Sequence, residues 1–286
     1  MPRARPFCSD TSRDVGEPLH ATASRIDHWL LVEYRGLWAP NAVRGSGLSD
    51  QVKARLREQV AARDHTRLLF LRRPDRRGRP ELVAFAGSSV AGGESLRRFA
   101  FEVYDDLREL DLDTGGEPVE QPLFLVCTHG KHDPCCARRG RPLFEAFAEQ
   151  LDEEWVWQTT HVGGDRFAGN VVCLTHGLYY GRVEREDAVR LVDEQLAGRI
   201  LLDLYRGRSI YSFAVQAAER SVREDNRLVA IDALRLERVD GSLVVFVDDA
   251  ERVHERLVEV TPDEPRYLTC KAIEERRPPQ FTVRRS

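Results

Sequence analysis

No apolar run in the 286-residue chain reaches the ~18 residues that a membrane-spanning helix needs, so a membrane partner is not expected. The first 30 residues are polar and charged and contain no apolar stretch of the secretory-signal kind; the expectation is a cytoplasmic protein. Net positive charge is also missing. Forty-three Lys and Arg stand against 47 Asp and Glu, giving −4. The basic pairs Arg72-Arg73 and Arg76-Arg77 lie among Pro and Gly in what reads as a solvated turn between two strands. No aromatic residues interleave with them, and nucleic acid is not an expected partner. Finally, there is no Cys-X-X-Cys. A thiol–disulfide enzyme would want one, and the vicinal pair Cys135-Cys136 is a poor substitute.

The chain does have the makings of a globular protein, with 42% hydrophobic and 31% charged residues. A chain of this length buries a sizeable core without help, so a metal site would point to function more than to bulk stability. Six cysteines are present, Cys8, Cys127, Cys135, Cys136, Cys173 and Cys270. In a reducing compartment cysteines are more often ligands or free thiols than disulfides. Cys127, Cys135 and Cys136 fall within ten residues of one another. Cys8 reads as a free thiol in a polar N-terminal arm lying over the first domain, Cys173 as core, and Cys270 and His254 as ordinary residues.

Hydrophobic periodicity divides the chain into three parts. In residues 1–117 a strand at Trp29–Tyr34 precedes a helix from about Asp50 to Arg63, capped by Ser49 and carrying Val52, Leu56 and Val60 on one face. Leu68–Leu71 and Leu82–Phe85 read as strands, and residues 97–110 as a further strand and a short helix. An acidic Gly- and Pro-containing stretch, Asp111–Gln121, reads as a linker. In residues 118–205 the pattern restarts. Leu123–Val126 is a strand, a loop holding Cys127 to Gly140 leads to a helix at about Pro142–Leu151, and Trp155–Thr160 is a strand. Val171–Thr175 and Leu178–Val183 form a hairpin about His176-Gly177, and Asp187–Leu196 is a helix. That β-α-β-β-β-α order is thioredoxin-like. The two α/β units suggest a fused double domain without a residue-level repeat. Residues 206–286 read as a small α+β module: a helix at Ser209–Glu224, then strands near Ala230–Val239, Leu243–Val247, Arg256–Val260 and Tyr267–Ile273. Fold class is thus α/β (α+β).

The chemistry concentrates between Cys127 and Asp165. Cys127 ends a strand, so the sheet can fix its side chain. Cys136 stands at the start of a helix, where backbone N–H groups and the helix dipole favour a thiolate. Lys131, Arg138 and Arg139 add positive charge. His161 and Asp165 flank Gly163-Gly164, a turn that can bring the backbone close to a bulky guest. Cys135 and Cys136 are adjacent, so their side chains diverge; Cys136 directly precedes the Ala-Arg-Arg-Gly turn and is taken as the ligand, with Cys135 spare.

Cys127 through Gly140, His161 through Asn170 and Gly177 through Val183 together resemble the sucrase/ferredoxin-like family, thioredoxin-fold [2Fe–2S] proteins related to thioredoxin-like ferredoxins. The likeness also takes in Cys8-Ser9-Asp10 and Gly16–Leu19 and runs over about residues 5–205. It implies a cluster held by two cysteines and by a His-X-Gly-Gly-His turn. Carried over, the cluster ligands are Cys127, Cys136 and His161, with Gly163, Gly164, Arg138 and Arg166 around them. The family's second histidine falls on Asp165. Either the Asp165 carboxylate ligates iron, or His129, His132 or His176 swings in, or the site is incomplete. The resemblance implies one-electron transfer or redox sensing with an unidentified reductase or acceptor protein. The alternative from the residues is a zinc module on Cys127, Cys136, His161 and Asp165. No carboxylate pair stands in a sugar-binding context, so sucrose cleavage is not expected.

Overall fold

The computed structural model describes residues 5–73 and 80–286; Arg76-Arg77 lies outside them. A short helix, α1 (Cys8–Asp14), precedes β1 (His28–Glu33), α2 (Asp50–Ala61), β2 (Thr66–Arg72), β3 (Leu82–Ser88), β4 (Ser95–Phe101) and the two-residue β5 (Glu117–Pro118). There follow β6 (Leu123–Cys127), α3 (Pro134–Ala148), β7 (Val156–Thr159), β8 (Val171–Leu174), β9 (Leu178–Tyr180), α4 (Ala188–Leu196) and β10 (Tyr205–Arg208). The remainder is α5 (Phe213–Asn226) and β11 (Leu234–Asp240), β12 (Leu243–Asp248), β13 (Val253–Pro262) and β14 (Pro279–Arg285). Among the described residues no helix is long and apolar enough to cross a membrane.

The first two parts share one ten-stranded sheet, ordered β10-β9-β8-β6-β7-β2-β1-β3-β4-β5. In each half a parallel pair spans a crossover containing a helix: β1 with β2 over α2, and β6 with β7 over α3. In each, the first strand also pairs antiparallel with the third, which pairs with the fourth. The halves therefore repeat one β-α-β-β-β topology, and they meet where β2 runs antiparallel to β7, Leu71 opposite Thr159. At the strand end where the second half carries Cys127, the first carries Glu33. Glu33 is buried and paired with the buried Arg73 at 3.2 Å.

Alternation along β6 assigns its two faces. Phe124 and Val126 pack on Leu143, Phe144 and Phe147 of α3. Leu123, Leu125 and Cys127 face the opposite way, into a core that spans both halves through Leu31, Leu69, Trp157 and Tyr179. The Ser49 cap and the Val52/Leu56 stripe of α2 are as the sequence indicates, the Ser49 hydroxyl accepting from the Val52 N–H.

The helix read at Pro142–Leu151 begins eight residues earlier. Asp133 caps it, its side chain accepting from the Cys135 N–H, and Pro134 occupies the first helical position. Pro142 lies inside the helix with its ring exposed. This shift puts Cys135 and Cys136 in the first helical turn.

Two other expectations change. The N-terminal arm lies over the second half, because Asp10 pairs with Arg138 and Arg139 and Arg13 pairs with Glu184. Tyr267–Ile273 forms no strand. The segment between β13 and β14 closes on one isolated bridge, Arg266 to Arg276, and Ile273 is 96% exposed. The C-terminal module is otherwise α5 packed through Val215, Ala218 and Val222 on Val244, Phe246 and Val258 of a four-stranded antiparallel sheet.

Candidate metal centre

Cys127 and Cys136 come together from the end of β6 and the first turn of α3. Gly140 makes the approach possible: a Cβ there would lie 2.0 Å from the Cys127 carbonyl oxygen. Both thiols are fully buried. The loop after β7 brings His161 and Asp165 against them. The Sγ of Cys127, the Sγ of Cys136 and a ring nitrogen of His161 all lie within 4.8 Å of one another. Cys136 Sγ is 3.3 Å from Asp165 Oδ1 and 3.9 Å from His161 Nδ1, and the last two are 2.9 Å apart. Cys127, Cys136 and His161 thus form one donor group, and Asp165 joins it through Cys136 and His161 while grouping with His132 and His161 on the cleft side.

Their charges are coupled. Hydrogen bonds from Cys136 and from His161 hold the Cys127 thiol well below its usual range despite burial. Cys136 is held up correspondingly by sharing its proton with that thiolate, and by burial. Burial works against a charged His161, but Asp165 and Cys127 outweigh it and push the imidazole up to about 9. Burial likewise opposes an ionised Asp165, and His161 outweighs it. Metal binding here must displace these shared protons. In the metal-free chain, a raised imidazole contributes stability fully below its ordinary 6.5 and loses it as pH rises through about 9. Titration of the His161 ring by NMR in metal-free protein should show that high midpoint, and Asp165→Asn should bring it back towards 6.5.

The neighbouring histidines sort by partner. His129 has both ring nitrogens occupied, Nε2 against the Ala39 carbonyl and Nδ1 accepting from the His161 N–H. His176 lies between β8 and β9, beyond the end of β8 opposite the Asn170 side, among Arg208, Glu94 and Asp232. His132 stacks on His161, with centroids 3.9 Å apart and planes at 14°, and stands 4.0 Å from Asp165. His132, His161 and Asp165 line a cleft of about 580 Å³ whose other walls include Asn41, Arg67 and Lys271.

Gly163 and Gly164 both adopt positive φ, 100° and 76°. The contacts that require glycine are with protein: a Cβ would meet Ser24 Oγ at 2.5 Å and Arg206 Nη2 at 2.4 Å respectively. Arg138 and Arg166 also turn towards the N-terminal segment. Arg138 pairs with Asp10 at 2.5 Å and Arg166 with Glu17 at 2.8 Å.

Two positioning residues were not singled out in the sequence. Buried Arg206 donates to the Gly163 carbonyl at 3.0 Å, to Asn170 Oδ1 at 2.7 Å and to Thr22. Asn170 donates to the Gly164 carbonyl, while its own carbonyl accepts from the Cys127 N–H. Together they tie the turn to β6. Asn170 falls inside the recognised motif; Arg206 lies on another strand and carries no local signal. Replacing Arg206 with Met strands several buried acceptors and should cost about 3 kcal/mol in urea unfolding, with faster loss of any bound metal.

Comparison with known proteins yields three findings. The profile of the family described as Sucrase/ferredoxin-like matches residues 19–207. Curated relatives named "Altered inheritance of mitochondria protein 32" match over about a third of the chain. The protein from Clavispora lusitaniae is 34% identical over 102 residues, 32% of this chain and 37% of that protein. The one from Meyerozyma guilliermondii is 33% identical over 111 residues, 35% and 39% respectively. The match thus spans well under half the length of these relatives. Among solved structures, the thioredoxin-like [2Fe–2S] ferredoxin of Aquifex aeolicus aligns at 23% identity and a TM-score of 0.29, over 33% of this chain and 97% of that one. Its wild-type structure at 1.5 Å aligns at 26% and 0.27, over 30% and 97%.

Proposed function

The chain belongs to the sucrase/ferredoxin-like family, and from that premise and the buried donor set we propose that it holds one [2Fe–2S] cluster and works as a one-electron carrier or redox sensor. The observation that carries this reading is the meeting of two buried thiols with a His161–Asp165 pair at the mouth of one cleft. The donor chemistry fits the group. Cys127 and Cys136 would hold one iron as thiolates, and His161 and Asp165 would offer the other a nitrogen and an oxygen. Such a cluster, when bound, supplies one-electron redox chemistry whose potential follows ligand charge and hydrogen bonding.

The protein's own groups set the surroundings. Asp165 brings a negative charge where a second neutral imidazole would bring none. The Leu125, Trp157, Val162 and Tyr179 core excludes water behind the thiols. The His132–His161 stack leads from the buried donors to the cleft, with the side chains 38% and 17% exposed. That cleft is where a redox partner protein, a reductase or an acceptor, would dock. A cytoplasmic setting suits free buried thiols.

A second reading, one zinc ion, rests on Cys127, Cys136 and His161, whose donor atoms lie within 4.8 Å of one another, with Asp165 3.3 Å from Cys136 as the fourth ligand. Iron and acid-labile sulfide analysis of protein purified without oxygen separates the two. Iron with equal sulfide and a one-electron EPR signal on reduction support the cluster. Zinc with neither iron nor sulfide would sink it.

A further inference from the structure

Three cysteines that the sequence leaves apart meet in space. Cys8 Sγ and Cys135 Sγ are 3.6 Å apart, Cys135 Sγ and Cys270 Sγ 3.3 Å, and Cys270 Sγ and Cys8 Sγ 3.5 Å. They come from α1, from the first turn of α3 and from the segment between β13 and β14. The Cys8–Cys135 and Cys135–Cys270 separations in sequence are 127 and 135 residues. The Asp133 carboxylate completes the group, with Oδ2 4.0 Å from Cys8 Sγ and the four donor atoms within 4.8 Å of one another.

We propose that Cys8, Cys135, Cys270 and Asp133 form a second metal site, separate from the Cys127–Asp165 donor set, that takes one zinc ion and clips both ends of the chain to α3.

The triangle of sulfurs has the dimensions of one ion. Zn–S bonds of about 2.3 Å at tetrahedral angles put ligand sulfurs about 3.8 Å apart. Sulfurs bound to different irons of a cluster would stand farther apart, because bridging sulfides intervene. A disulfide would join two of the three and leave the third stranded, whereas here the three edges are nearly equal. Backbone N–H groups already serve the donors: the Cys8 N–H points at Cys270 Sγ, and those of Cys135 and Cys270 donate to Asp133. Among the described residues no cationic side chain pairs with Asp133, so a buried carboxylate surrounded by thiols lacks a counter-charge. A divalent soft-to-borderline cation supplies it, and three sulfurs with one oxygen suit zinc better than a hard cation.

The site has a structural consequence next door. Cys135 adjoins Cys136. Thr269 and Lys271 flank Cys270 and line the cleft at His132 and His161. The segment that carries them buries little: Ile273 is 96% exposed and Cys270 itself is only partly covered. A metal clip closing such long loops fixes a cleft wall that apolar packing does not.

The test is metal analysis of the full chain purified without oxygen, supplied with one equivalent of zinc sulfate and then passed through gel filtration. Wild type should retain one zinc per chain. Cys270→Ser and Cys8→Ser should each lower retained zinc about tenfold or more and leave iron and sulfide unchanged. Cys127→Ser should lose iron and keep zinc. Cobalt substitution provides a spectroscopic check, since thiolate-to-cobalt charge transfer should appear in Cys127→Ser protein and vanish in Cys270→Ser protein. Zinc retained in full by Cys270→Ser, or an intact mass two hydrogens short with a mapped disulfide among these cysteines, would overturn the proposal. Iron and sulfide without zinc would overturn this site alone. Zinc lost in Cys127→Ser and kept in Cys270→Ser would overturn both it and the cluster reading.

Discussion

Cys127→Ser should yield a folded, colourless protein whose iron and acid-labile sulfide fall by more than about tenfold relative to wild type. Cys127 is 1% exposed and ends β6, so a serine there keeps the strand and its pairing with β7 and β8. What changes is the donor. A serine hydroxyl is harder than a thiol and far less acidic, and neither Cys136 nor His161 can draw its proton as they draw that of Cys127. Cys136→Ser should have the same effect. Cys173→Ser should keep its colour. Cys173 lies in β8 within the core beneath α3, where burial alone pushes its thiol up and, among the described residues, it belongs to no metal-ligand group. A series in which Cys127 and Cys136 variants bleach and the Cys173 variant does not assigns the thiolates. Bleaching in all three, with unfolding by circular dichroism, would show only that the core had failed.

Asp165→His should retain the cluster and raise its reduction potential by an amount on the order of 100 mV, in the direction that separates two-imidazole sites from anionic ones. The carboxylate is 2% exposed and sits 2.9 Å from His161 and 3.3 Å from Cys136. Its negative charge favours the oxidised, more positive state of whatever is bound. A neutral imidazole removes that preference. It also adds a second group that titrates near neutrality, so the potential of the variant should fall more steeply with pH than that of wild type. Protein-film voltammetry at several pH values reads both effects. An unchanged potential and an unchanged slope would place Asp165 outside the iron ligands, with His132, stacked on His161, as the next group to vary.

Much of the fold could be read from the chain because the signals are local, and the resemblance to the family is what brought Cys127, Cys136, His161 and Asp165 forward as candidates. Trp29–Tyr34, Leu68–Leu71 and Leu123–Val126 are short apolar runs bounded by polar turns, and each lies on a strand, with Tyr34 just past the end of β1. The Ser49 cap and the Val52/Leu56 period mark α2 within two residues of its end. The start of α3 is masked in the sequence, because Pro142 resembles a helix start. The true cap, Asp133 with Pro134, sits in a cysteine-rich stretch that reads as a loop. The meeting of β2 with β7 has no local signature; it depends on two separate edge strands finding each other. The same holds for Cys8 and Cys270, each alone in its stretch of sequence and separated by 262 residues. Glycine pairs announce a special backbone but not its reason. Gly163 and Gly164 give way to Ser24 and Arg206, neither of which is near them in sequence.

The most direct test of the central reading is the joint measurement of iron, acid-labile sulfide and EPR on the full chain, purified without oxygen and reduced by one electron. The account predicts two irons and two sulfides per chain with a single spin-one-half signal that disappears in Cys127→Ser. Protein that stays colourless after anaerobic reconstitution, with no sulfide and zinc on the Cys127–Asp165 donors, would contradict it.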